Sequence, residues 1–132
     1  MKKIILILLA SLSISGCAGV GVATVGAVMY YKSQSHEVAS VDIEAPAKNV
    51  YQTAIDVVNQ NPNVSIINQD DSLKVLDVRQ NEKDGSIKVS AINSSLSKLT
   101  ITSDVTGDEE VNPLSGIFKI CEDLNVKCEL SK

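Results

Sequence analysis

Aromatic side chains are scarce: the 132 residues include no Trp, one Phe and three Tyr. That excludes the stacked platforms on which proteins hold single-stranded nucleic acid. A basic excess is missing as well. The formal net charge is -4, whereas nucleic-acid binders carry a basic footprint, so no nucleic-acid partner is expected. There is one histidine, His36, too few for most His-based metal sites. It lies beside no candidate nucleophile and reads as a solvated linker residue. No Cys-x-x-Cys, Walker loop or Gly-x-Ser-x-Gly occurs. Gly19-Val20-Gly21 begins like a dinucleotide fingerprint, but no strand precedes it. The acidic groups Asp70-Asp71 and Asp108-Glu109-Glu110 lack the spacing of a calcium loop and read as turn formers or solvated charge. The expectation is therefore no catalytic residue, no metal and no cofactor, in a chain that is not an enzyme.

What is there begins at the N-terminus. Met1-Lys2-Lys3 is a short basic region, and Ile4 to Ile14 is apolar apart from serines. Ile14-Ser15-Gly16-Cys17 follows. The shape is that of a secretory signal peptide. Its ending resembles a bacterial lipobox, which implies lipid transfer to the Cys17 thiol, cleavage between Gly16 and Cys17, and acylation of the new N-terminus. Ala18 stands where an Asp would hold an enteric lipoprotein at the inner membrane, so the resemblance implies the outer membrane, with the domain facing the periplasm. The competing reading is an uncleaved anchor, since Ile4 to Tyr31 carries no charge and is long enough to span a bilayer with tilt. Cleavage would remove Lys2 and Lys3 and no acid, taking the net charge from -4 to -6. So acidic a domain gains nothing from anionic headgroups. Its attachment must come from the acyl chains.

Ala18 to Tyr31 reads A-G-V-G-V-A-T-V-G-A-V-M-Y-Y. As a helix it would place Gly19, Ala23, Gly26 and Ala27 in one small-residue stripe. Two readings stay open: an apolar linker lying against the leaflet or the domain, or a half-inserted, self-associating helix. Lys32 to His36 reads as a hinge. The expected division is residues 1–16 signal peptide, 17–35 lipidated cysteine and tether, and 36–132 a small periplasmic domain.

Within that domain, Ala39, Val41 and Ile43 alternate as in a strand. Pro46 opens a helix whose apolar positions are Val50, Tyr51, Ala54, Ile55, Val57 and Val58, and Asn61-Pro62-Asn63 stops it. Val64 to Asn68 and Leu73 to Arg79 form a hairpin or one bent strand. Ile87 to Ile92 follows a turn at Asn81 to Gly85, where Asp84-Gly85 is the turn signal. Leu96 to Thr102 alternates. Asn112 and Pro113 open a final helix with Leu114, Ile117, Phe118, Cys121 and Leu124 on its apolar face. The predicted fold class is α+β: an antiparallel sheet of about four strands with two helices on one face, in the order β-α-β-β-β-α.

With Cys17 lipidated, Cys121 and Cys128 remain. An oxidising compartment favours a disulfide. On a continuous helix, however, residues seven apart lie about 10 Å apart, beyond disulfide reach. Pairing requires the helix to end near Asn125, which tolerates the left-handed conformation. The alternative is a buried Cys121 and a free Cys128.

The assembled pattern resembles a group of small proteobacterial lipoproteins, the domain-of-unknown-function 3568 family. The resemblance rests on Gly16-Cys17, on the Gly/Ala/Val segment ending at Tyr30 and Tyr31, and on Ile43-Glu44-Ala45-Pro46-Ala47-Lys48-Asn49-Val50-Tyr51 with Ala54. Asp84-Gly85 before Ile87 and Gly107-Asp108-Glu109-Glu110 before the last helix complete it. Cys121, Cys128 and Val111-Asn112-Pro113 depart from the pattern. It implies a lipoprotein with a small α+β domain and no established activity. The residues favour a non-enzymatic envelope lipoprotein that binds another envelope protein, with edge strands available for pairing. The alternative is a carrier of a small apolar ligand, which a cavity lined by Val50, Ile55, Val89 and Leu99 would mark. A hydrolase is the third and weakest reading.

Overall fold

The structure, a computed structural model, describes residues 26–104 and 113–131. Seven strands and two helices follow in chain order: β1 Gly26–Lys32, β2 His36–Ile43, α1 Ala47–Gln60, β3 Val64–Asp70, β4 Val75–Gln80, β5 Lys83–Ala91, β6 Ser97–Asp104, α2 Pro113–Asp123 and β7 Cys128–Leu130. The strands form one sheet in the order β3-β4-β5-β6-β2-β1-β7. Every neighbouring pair is antiparallel except β1 and β7, which run parallel.

This corrects the expected four-stranded antiparallel sheet: it is a mixed seven-stranded one. Two strands were not legible. β1 lies within the stretch read as tether. Val28 is buried and Tyr30 half-buried on one face, while Ala27, Met29 and Tyr31 are exposed on the other. Because Val28 to Tyr31 is apolar on both faces, no period of two shows. Neither tether reading, linker or inserted helix, holds for Gly26 to Tyr31. Cys17 and residues 18–25 lie outside the described residues, as does the signal peptide. β7 is only three residues long, too short for any periodicity to register.

Both helices pack on the same sheet face, α1 over β3, β5 and β6, α2 over β2 and β6, and they touch each other. The face they cover is built by strand alternation. Ala39, Val41 and Ile43 of β2, Ile87 and Val89 of β5, and Leu99 and Ile101 of β6 meet Val50, Ala54 and Val58 of α1 and Ile117, Ile120 and Cys121 of α2. The expected apolar face of α2 needs one exchange. Phe118 is 36% exposed, and Ile120, beside Cys121 but not in the predicted stripe, is buried. Burying such side chains contributes about 1.5–3 kcal/mol each before chain entropy is set against it.

The turns follow local chemistry. Pro46 is extended and caps α1, its carbonyl accepting from the amides of Asn49 and Val50. Lacking an N–H, it suits a position where no helical partner exists. The β4–β5 turn sits at Asn81-Glu82, both left-handed at φ 52° and 68°, as two-residue hairpins require. The turn is therefore earlier than expected, and Asp84-Gly85 lies inside β5. After α2, Asn125 is left-handed at φ 57°, and the Val126 amide donates to the Cys121 carbonyl at 2.9 Å. That reversal brings the Cα atoms of Cys121 and Cys128 to 6.2 Å, and the two are joined as a disulfide. The bond ties α2 to β7. The Lys127 carbonyl accepts from the Gly26 amide at 2.8 Å, and the Val28 carbonyl from the Ser131 amide at 2.7 Å. The C-terminus thus clamps the start of β1.

Candidate functional site

The helices do not cover the sheet evenly. Near the C-terminal end of α1 and the start of α2 they leave a cleft of about 170 Å³. Its walls are Val57 and Val58 of α1, Val78, Ile87 and Ile101 of the sheet, and Ile120 of α2. Its mouth carries Asn61, Gln80, Lys83, Asp84 and Ser115. Two glycines make the space. A Cβ on Gly85 would come within 2.9 Å of the Thr102 carbonyl and reach towards Val78 and the Ser103 Cβ. A Cβ on Gly116 would come within 2.9 Å of Ile101 Cδ1.

Ser103 lines this cleft on β6. By alternation it shares the helix-covered face with Leu99 and Ile101. Its Oγ is buried and has no hydrogen-bond partner among the described residues. Its cross-strand neighbours are Gly85 on one side and Glu37 on the other. Gly85 offers no side chain. Glu37 Oε1 accepts from the Tyr30 hydroxyl at 2.9 Å and lies 3.5 Å from Lys32 Nζ. Burial, and then this carboxylate, raise the Tyr30 pKa above its ordinary value. A buried hydroxyl without a partner costs about 1–3 kcal/mol.

The charges at the mouth are partly neutralised. Arg79 Nε donates to Asp84 Oδ1 at 2.7 Å, with Nη2 3.5 Å from Oδ2. That hydrogen bond holds the Asp84 carboxyl below its usual pKa and raises Arg79. Lys83 makes no ion pair among the described residues.

The other residues singled out in the sequence fall elsewhere. His36 starts β2 on the face opposite Ser103, exposed, with Nδ1 3.3 Å from Asp104 Oδ1. Ser103 and His36 therefore do not meet. Asp70 and Asp71 build the β3–β4 turn. Asp70 Oδ1 accepts from the Ser72 amide and hydroxyl and the Leu73 amide, and the Ser72 hydroxyl is the main cause of its lowered pKa. Asp71 Oδ1 accepts from Gln69 Nε2 at 2.7 Å and from the Tyr51 hydroxyl at 2.8 Å, which lower its pKa. Burial, then Asp71, push the Tyr51 hydroxyl up to about 12. No group of three metal-ligating side chains occurs among the described residues, and Asp108-Glu109-Glu110 lies outside them. Of the residues whose cavity would mark a carrier, Val50, Val89 and Leu99 are buried in packed core and Ile55 packs partly buried against it, and none of the four lines the cleft. Sequence reading missed Ser103, Gly85 and Gly116 as site residues. Only the serine on the apolar face of β6 was a usable signal. Among the described residues no helix is long and apolar enough to cross a membrane.

The described residues form a seven-stranded mixed sheet carrying two helices on one face, with a candidate binding cleft between them. The chain belongs to the family described as Protein of unknown function (DUF3568), whose model matches residues 2–113. No curated protein matches it in sequence. Among solved structures it is similar to the Zhui aromatase/cyclase from Streptomyces sp. R1128, at 15% identity and a TM-score of 0.43, over 68% of this chain and 86% of that one. It is also similar to the di-domain ARO/CYC BexL of the BE-7585A biosynthetic pathway, at 14% identity and a TM-score of 0.43, over 68% of this chain and 42% of that one. At these scores the likenesses carry nothing over to this chain.

Proposed function

We propose that this chain is an envelope lipoprotein, anchored through lipid on Cys17 at the outer membrane, whose domain binds a protein partner without transforming it. The observation that carries the binding reading is the size of the cleft. Sites that engulf a small molecule usually measure about 300–1,000 Å³. At about 170 Å³ this one is nearer the 150 Å³ cavity that holds a single benzene. It suits one anchor side chain of a partner, and such anchors in desolvated pockets carry most interface energy. This favours the adaptor over the small-ligand carrier.

The sheet edges are poorer candidates for the contact. β7 has three residues, and β3 is interrupted by a bulge between Ile66 and Asn68. Short and bulged edges resist strand addition. The non-enzymatic reading is supported by the separation of His36 from Ser103 on opposite faces of the sheet. No cofactor is called for.

The test is a photoreactive residue placed in living cells at Lys83, on the cleft mouth, or at Lys98, on the opposite sheet face. A discrete protein adduct from position 83 and none from 98 is the expected result. Equal capture from both, or none from 83, contradicts the reading. Acyl labelling should be lost in Cys17→Ala while the domain stays folded. Normal labelling of that variant rules out the anchor.

A further inference from the structure

Resting on the reading of the cleft as a partner's anchor site, we infer that the side chain it receives is a tyrosine. Three observations converge. The volume of about 170 Å³ admits one six-membered ring and leaves little room for the larger indole of tryptophan. The walls that meet the ring are apolar, from Val58, Val78, Ile87 and Ile101. The one feature such walls do not explain is the Ser103 hydroxyl, buried and unpartnered on the same lining.

An aliphatic or phenyl anchor would leave that hydroxyl unsatisfied. A phenol supplies both a donor and an acceptor on the far end of a flat ring. A serine hydroxyl can turn among three staggered positions to meet it. Gly85 keeps the approach clear, since any Cβ there would reach into the space beside Ser103 and Val78. Tyrosine also loses little conformational freedom for the area it buries, which is why interfaces favour it. A cationic anchor is disfavoured by the apolar walls, where no carboxylate stands ready: Asp84 is held by Arg79, and Glu37 by Tyr30 and Lys32. An anionic anchor would have Lys83 within the lining but would set its charge among the valine and isoleucine walls, at a desolvation cost that a phenol avoids.

The test uses the full-length protein in detergent with isoleucine methyl groups labelled for NMR. The probes are p-cresol, toluene, N-acetyl-tyrosinamide and N-acetyl-phenylalaninamide. Saturable shifts are expected at Ile87, Ile101 and Ile120, and none at Ile43, which is buried away from the cleft. p-Cresol should bind about fivefold more tightly than toluene, the worth of one net hydrogen bond, and the tyrosine amide should be preferred over the phenylalanine amide by the same factor. Ser103→Ala should erase both preferences and leave toluene binding intact. Toluene binding as tightly as p-cresol would overturn the tyrosine inference while leaving an apolar anchor site standing. p-Cresol binding without N-acetyl-tyrosinamide would show a cleft that takes a free phenol and not a side chain, and would overturn it too. Shifts from none of the four probes would remove the anchor site itself.

Discussion

Replacing Cys128 with serine tests the coupling between the C-terminus and the start of β1. The disulfide closes a short loop, with Cys121 and Cys128 seven residues apart in sequence. On the chain-entropy model a loop of this size restrains the unfolded chain by about 2.5 kcal/mol. In a domain of roughly 100 residues that is a fall in Tm of about 10–20 °C. Cys121→Ser should cost more, because Cys121 is buried in the core against α2 and the sheet, and a serine there buries a hydroxyl as well. The assay is urea unfolding followed by circular dichroism, with and without a thiol reductant. Reductant should bring the wild type to the Cys128→Ser value and leave that variant unmoved. Hydrogen exchange supplies the local readout. The amides of Gly26 and Ser131, which bond across β1 and β7, should exchange much faster in Cys128→Ser, while the amides of β5 and β6 change only with global stability. A Cys128→Ser protein within about 0.5 kcal/mol of wild type, with Gly26 still protected, would refute the claim that the bond holds the clamp.

Three further outcomes follow from particular residues. Gly85→Ala should destabilise by about 1–3 kcal/mol, because its Cβ meets the Thr102 backbone. Gly116→Ala should be neutral or stabilising, because its Cβ meets only the mobile end of Ile101 and alanine gains about 1 kcal/mol of helix propensity. Urea midpoints of the two variants check this contrast. Tyr51 has a folded-state pKa raised from 10.0 to about 12, so the stability it contributes is complete below pH 10 and is lost as pH rises towards about 12. Tyr51→Phe should flatten that part of the stability–pH curve, and an unchanged slope between the two proteins would contradict it. Ser103→Ala should hold or raise the midpoint of the unliganded protein, since it removes an unsatisfied buried hydroxyl. A loss of more than about 1 kcal/mol would show that the hydroxyl has a structural partner.

Strong periodicity made much of the fold legible. Ala39, Val41 and Ile43, the α1 stripe from Val50 to Val58, and the alternation of Leu99 and Ile101 all lie where their spacing puts them. Two strands were hidden for different reasons. β1 is apolar on both faces because Met29 and Tyr31 stand exposed beside buried Val28. β7 depends on a chain reversal at Asn125 and a disulfide, both of which act beyond the range of a local pattern. The Asp84-Gly85 pair misled because the glycine serves close approach to Thr102 and not the turn, which Asn81 and Glu82 make with their own left-handed backbones. The cleft was the least legible part. It is defined by what Gly85 and Gly116 leave out and by residues of both helices and of strands β3 to β6. Only the order of strands brings Ser103 beside Gly85.

If a partner enters this cleft, closing the cleft should keep it out. Gly116→Leu places an isobutyl group against Ile101 inside the recess. The photoreactive residue at position 83 is then compared in cells between this variant and the parent, with folding checked by an unchanged Tm. The adduct seen with the parent should fall at least about tenfold, a loss of about 1.4 kcal/mol or more. An adduct of undiminished yield from a folded Gly116→Leu protein would contradict it.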